Sequence, residues 1–101
     1  MSDLAFAGAA RQAEMLRAKE VSSRELTEMY LERIGRLDER LNSFRDVWGD
    51  GALAAAGEAD ARIGKGEGAP LLGVPIALKD TLDVEGDVTA LGTAGFDTPA
   101  A

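Results

Sequence analysis

Lys79 stands at the end of an apolar run, Val74-Pro75-Ile76-Ala77-Leu78, which is entered through Gly73 and followed at once by Asp80. Burial disfavours an ammonium and can bring a lysine pKa down by several units from its usual value of about 10.4. A lysine delivered from a buried segment is therefore a proton acceptor in waiting. Asp80 opposes that change if its carboxylate lies close to the amine, and is neutral to it if the carboxylate points elsewhere. Spacing and composition alone also fit a second, commoner explanation: a solvated lysine that closes a strand and keeps the sheet edge from pairing with another chain. The remaining residue types narrow the chemistry further. There is no cysteine and no histidine, which removes thiolate nucleophiles, disulfides, the commonest metal ligand and the commonest general base. Catalysis in this chain has to use carboxylates, hydroxyls or amines.

The elements that must hold Lys79 in place are mostly helical. Phe6, Ala9, Ala13 and Leu16 recur at helical spacing, predicting a helix from Asp3 to Lys19 with a thin apolar stripe. Ser22-Ser23-Arg24-Glu25 is a capping box, and Leu26, Tyr30, Ile34, Leu37, Leu41 and Phe44 follow at steps of three and four on one face. Glu32 and Arg36 are four apart in the favourable order, a support of only a few tenths of a kcal/mol, so burial of the stripe must hold this helix. Asn42 and Ser43 break it. Phe44 to Trp48 has the composition of a short strand, and Asp50 is placed to cap a third, alanine-rich helix from Ala52 to Ile63. The glycine-rich stretch Gly64 to Gly68 lacks the Gly-Lys-Ser/Thr of a phosphate loop and is predicted to be a flexible connector.

Leu71 to Leu78 is the one strong strand candidate. Its near-continuous apolar character fits a strand covered on both faces, as in an α/β sheet between helices. Pro75 removes a ladder donor and marks an edge or a bulge. Thr89 to Thr93 fits extended backbone, and Gly95 to Ala101 is irregular. The chain carries 46% hydrophobic and 29% charged residues and a net charge of −7, the composition of a soluble globular protein. The negative charge argues against direct nucleic-acid binding, no apolar run approaches the roughly 18 residues of a membrane helix, and the first residues lack the pattern of a secretory signal.

The segment Leu71-Leu72-Gly73-Val74-Pro75-Ile76-Ala77-Leu78-Lys79-Asp80 resembles the lysine motif of the amidase signature family, whose members include bacterial amidases and the A subunit of the Glu-tRNA(Gln) amidotransferase. Gly86, Thr89, Gly92 and Thr93 fit the Gly-x-x-Thr-x-x-Gly-Ser/Thr pattern that follows it. Val21 to Leu26, Arg33-Ile34, Leu41 to Phe44 and the alanine-rich helix are similar to the amino-terminal helices of that family. The likeness covers roughly residues 20 to 95. It implies an α/β/α sandwich with a mixed sheet, of which residues 1–101 would be the amino-terminal part of a single domain, with a helical portion at 20–70 and the start of the sheet, bearing the lysine motif, at 71–101.

The resemblance also implies a mechanism. In that family the lysine belongs to a Ser–cis-Ser–Lys triad, and the matching position is Lys79. A neutral lysine takes a proton from the middle serine, which activates the nucleophilic serine for attack on an amide carbonyl; water then releases the acyl group. Backbone amides of a glycine-rich loop hold the oxyanion. The glycine-rich segment that carries both serines is missing here: the serines present are Ser2, Ser22, Ser23 and Ser43, and Ser22 is already explained as a cap. The expectation is a longer, cytoplasmic polypeptide that hydrolyses small-molecule amides, needs no metal or organic cofactor, does not contact membrane, and has room for homo-oligomerisation. The 101 residues alone are expected to be inactive. Thr81 stands where many relatives have asparagine, which bears on substrate preference. Asp83-Val84-Glu85-Gly86 favours a free-standing amidase over the transamidation enzyme. The alternative, if the product ends at Ala101, is a non-catalytic helical interaction module built on the Leu26 to Phe44 stripe.

Overall fold

The computed structural model describes residues 2–92, 95 and 98–101. A 3₁₀ turn (Ser2–Phe6) is followed by α1 (Ala9–Arg17), α2 (Ser23–Leu41) and α3 (Gly49–Gly64). The first helix expected from the sequence is thus two elements. Gly8 has φ +87°, a conformation open to glycine and costly to other residues, and it interrupts the run. Phe6 consequently leaves the stripe: it is 78% exposed, with the Arg33 guanidinium 5.1 Å from its ring centre. Ala13 and Leu16 remain buried. α1 stops in a Schellman arrangement, where the Lys19 N–H donates to the Leu16 carbonyl (3.1 Å) and the Glu20 N–H to that of Met15 (2.9 Å).

The start of α2 bears out the capping box. The Glu25 N–H donates to Ser22 Oγ and the Ser22 N–H to Glu25 Oε1, both at 3.0 Å. The amides of Ser23 and Arg24, which no residue of a helix's first turn can satisfy internally, donate to Asp60 Oδ1 (2.7 Å) and Oδ2 (3.1 Å) on α3. Glu32 and Arg36 pair at 3.1 Å as expected. Asn42 takes the left-handed conformation (φ 52°) and ends the helix where the sequence placed its break. α3 begins earlier than expected, with Trp48 rather than Asp50 at its cap; Asp50 sits in the first turn, where its charge suits the helix dipole. The expected connector begins as an ordered stop: Gly66 (φ +87°) donates to the Ile63 carbonyl (2.9 Å) and Glu67 to that of Arg62 (3.1 Å), with Arg62 and Glu67 ion-paired.

Leu16, Val21 and Leu26 form the core, with Leu4, Met15, Met29, Ile63 and Val74 packed around them. Tyr30 ties the amino-terminal turn to α2. Its hydroxyl donates to the Ala5 carbonyl (3.1 Å) and accepts from Gln12 Nε2 (2.8 Å), which also donates to the Leu4 carbonyl.

Neither expected strand forms. Leu71 to Gly73 make a turn, Val74 to Leu78 and Phe44 to Trp48 have no ladder pairing, and among the described residues only isolated bridges occur, Glu85 with Ala100 and Val88 with Pro99. A strand exists only against a partner, and no described segment offers Leu71 to Leu78 one. Thr89 and Ala90 lead not into extended backbone but into a turn at Leu91 (φ 53°) and Gly92 (φ 75°); Thr93 lies outside the described residues. The helical half of the expected architecture is therefore present, and the described residues contain no sheet.

Candidate active site

The lysine motif is fastened at both ends. At its start, Ser23 Oγ donates to the Gly73 carbonyl at 2.6 Å. Gly73 has φ +89°, and a Cβ placed there would lie 3.3 Å from Ile63 Cδ1, Leu16 Cδ1 and Ser23 Cβ. Glycine is thus needed both for conformation and for close approach to the core. Val74 continues into that core. Pro75, Ile76 and Ala77 then border an open groove of about 350 Å³ against Ile34, Leu37 and Leu41 of α2 and Phe44 just beyond its end.

The run Val74 to Leu78 is less buried than its composition predicts. Ile76 is 79% and Leu78 47% exposed, and Lys79 is exposed as well. Nothing among the described residues covers the outer side of this segment, so the desolvation expected around Lys79 is not supplied by them. Lys79 borders a shallow cavity of about 400 Å³ together with Arg45, Asp46 and Asp80.

Asp80 fastens the other end, and it settles which way its carboxylate faces. Arg45, in the link between α2 and α3, grips it at two points: Nε donates to Oδ2 (3.1 Å) and Nη2 to Oδ1 (3.2 Å). The Ala90 N–H adds a third bond to Oδ1 (3.2 Å), and the Asp80 carbonyl accepts from the Leu91 N–H. Arg45 also donates to Asp87 Oδ2 (3.1 Å), to Asp46 Oδ2 (2.8 Å) and to the Val88 carbonyl. One guanidinium therefore organises three carboxylates and closes the 80–90 turn. Within that turn Thr89 Oγ1 donates to Asp83 Oδ1 (2.6 Å), and Gly86 takes φ +81°. Arg45 and its aspartates carried no recognisable motif; Phe44 to Trp48 looked like a strand, and the partners lie 35 and 42 residues further along.

The electrostatics follow from these bonds. Hydrogen bonding to Arg45 holds the Asp80 carboxyl below its ordinary range, helped by the Ala90 N–H. The Val88 N–H, then Arg45, do the same for Asp87. Arg45 is pushed up, by Asp80 first and Asp87 second. A carboxylate whose pKa is depressed by folding contributes stability that is complete above its unfolded value, about 3.9, and is lost as pH falls through the lower folded value. A raised arginine loses its contribution only in strong alkali. The 80–90 turn should therefore hold unchanged down to about pH 5 and open on the acid side of about pH 4. The Ala90 amide resonance, followed by NMR through an acid titration, reports this directly; a midpoint at or above the ordinary aspartate value would contradict it.

Among the described residues no helix is long and apolar enough to cross a membrane. The model of the amidase family matches residues 25–99, which include the whole of the clamped motif and most of both long helices. Over 100 residues the chain is 52% identical to AmiB2 of Mycobacterium tuberculosis, a protein named as an amidase, covering 99% of this chain and 21% of that one. Over 87 residues it is 48% identical to the A subunit of the glutamyl-tRNA(Gln) amidotransferase of Aromatoleum aromaticum, covering 83% and 18%. The chain spans about a fifth of the length of these relatives. With a match that takes in α2, α3, the Arg45 clamp and the lysine motif together, the chain belongs to the amidase family.

Proposed function

We propose that this chain supplies the lysine of a Ser–cis-Ser–Lys triad to a longer polypeptide that hydrolyses carbon–nitrogen bonds of small amides. Lys79 is the proton acceptor. Its neutral amine takes the proton of the middle serine, that serine takes the proton of the nucleophilic serine, and the serine oxygen adds to the amide carbonyl. The amine or ammonia departs with a proton returned along the same relay, and water cleaves the acyl-enzyme. Both serines lie in sequence beyond these residues on this reading, in the remainder of an α/β/α domain that residues 1–101 begin, and these residues alone hydrolyse nothing.

The observation that carries the reading is the fastening of Gly73 to Asp80 at both ends, with the neighbouring carboxylate turned onto Arg45 and Lys79 exposed between them. The likeness to the A subunit of a glutamyl-tRNA(Gln) amidotransferase supports a second reading, in which the same triad releases ammonia for a transamidation partner. Ammonia release from a panel of small amides by the full-length protein tests both. Turnover by the protein alone, with an acyl group trapped on a serine and located by mass spectrometry, is the expected result. Turnover only with partner subunits and charged tRNA favours the second reading, and acylation of any residue other than a serine sinks both.

A further inference from the structure

We propose that Arg45 is a positioning residue for Lys79: it holds the two carboxylates that border the lysine's cavity, Asp80 and Asp46, on its own guanidinium and so keeps them off the lysine amine. This rests on the reading of Lys79 as a proton acceptor. Asp80 follows Lys79 directly in the chain, and Asp46 lines the same cavity of about 400 Å³. A carboxylate within ~4–6 Å of an ammonium favours its charged form by roughly 1–3 pH units, enough to disable a base that has to be neutral. Both carboxylates are committed elsewhere. Asp80 is held through both oxygens by Nε and Nη2, and Asp46 through Oδ2 by Nη1 at 2.8 Å.

The guanidinium suits this task. It stays charged at every working pH, and its planar fork binds a carboxylate at two points, which a lysine cannot do. It is itself kept in place by Asp87 Oδ2 and the Val88 carbonyl, groups on the far side of the 80–90 turn. The Ala90 N–H holds Asp80 Oδ1 from the same side. The charged groups that border the cavity beside Lys79 are Arg45 and Asp46 from the α2–α3 link and Asp80 from the turn itself, and all three belong to one bonded cluster.

The test measures the state of the Lys79 amine without relying on turnover. Full-length protein is acetylated competitively with acetic anhydride across about pH 6 to 11, and the Lys79 peptide is quantified by mass spectrometry beside the pH profile of kcat/KM. Arg45→Ala should move the midpoint of Lys79 acetylation, and the acid limb of activity, upward by about one unit or more. Asp80→Asn together with Asp46→Asn in that background should reverse most of the shift. Asp80→Asn alone should leave the acetylation midpoint where it was, and this milder variant carries the test if Arg45→Ala fails to fold. An unmoved midpoint in Arg45→Ala, or a midpoint lowered by about a unit in Asp80→Asn alone, overturns the proposal. If acetylation behaves as expected but Lys79→Ala still hydrolyses amides, the positioning stands and the triad reading falls.

Discussion

Exchange of Lys79 for alanine in the full-length protein is expected to lower kcat for amide hydrolysis by about 10²–10⁴-fold, the usual contribution of a positioned acid–base group, with KM little changed. The loss should be chemical rather than structural. Lys79 is exposed in these residues, so truncating it leaves the core around Leu16 and Leu26 untouched. Lys79→Arg should be as inactive as the alanine variant, because a guanidinium does not give up its proton in a protein. Retention of charge would thus fail to restore activity, which separates a proton acceptor from a merely cationic group. Steady-state kinetics on the two variants decide the matter. Activity in Lys79→Arg close to that of the parent would remove Lys79 from the proton relay.

Leu26→Ala should produce the largest loss of stability, about 2–5 kcal/mol. The buried apolar residues among those described are Ala13, Leu16, Val21, Leu26, Ala56, Ala59 and Ala90. Four of these are alanine, so few side chains carry most of the burial. Leu16 and Leu26 are the largest that are fully enclosed. Typical domains have only about 5–15 kcal/mol in total, so a cavity at Leu26 removes a large share. Leu41, on the same stripe, is 66% exposed, and Leu41→Ala should change stability by less than about 0.5 kcal/mol. Urea melts followed by the fluorescence of Trp48, the one tryptophan in these 101 residues, compare the two. Equal shifts in midpoint would mean that burial is not distributed along α2 as described.

What was legible in the sequence was what is decided locally. The capping box at Ser22 and Glu25, the Glu32–Arg36 pair and the stop at Asn42 each involve residues within one or two helical turns, and each is present. The lysine motif was legible as a motif, and the family match bears out the resemblance it carried. The strand expected over Leu71 to Leu78 failed for a different reason. An apolar run states that a segment wants cover, but not whether cover is at hand, and Ile76 remains 79% exposed. The single amino-terminal helix failed at Gly8, whose positive φ outweighs the helical spacing on either side. Arg45 was illegible because its meaning lies in partners at Asp80 and Asp87, and pairings over such distances leave no periodic trace.

The acceptors that complete α2 have a consequence for the order in which the chain can assemble. Ser22 and Glu25 close the helix start as soon as both exist. The Ser23 and Arg24 amides, by contrast, wait for Asp60, 37 and 36 residues later, and the Ser23 hydroxyl waits for the Gly73 carbonyl, 50 residues later. At a synthesis rate of about 5–20 residues per second, the interval before Gly73 follows Ser23 is roughly 2–10 s. Until Asp60 follows, the first turn of α2 has only the Ser22–Glu25 capping box to satisfy its amides. The arrival of α3 and then of Gly73 locks its first turn. The bond that anchors the lysine motif thus follows those that complete the helix start, so the motif acquires its fixed origin only once the scaffold beneath it is in place.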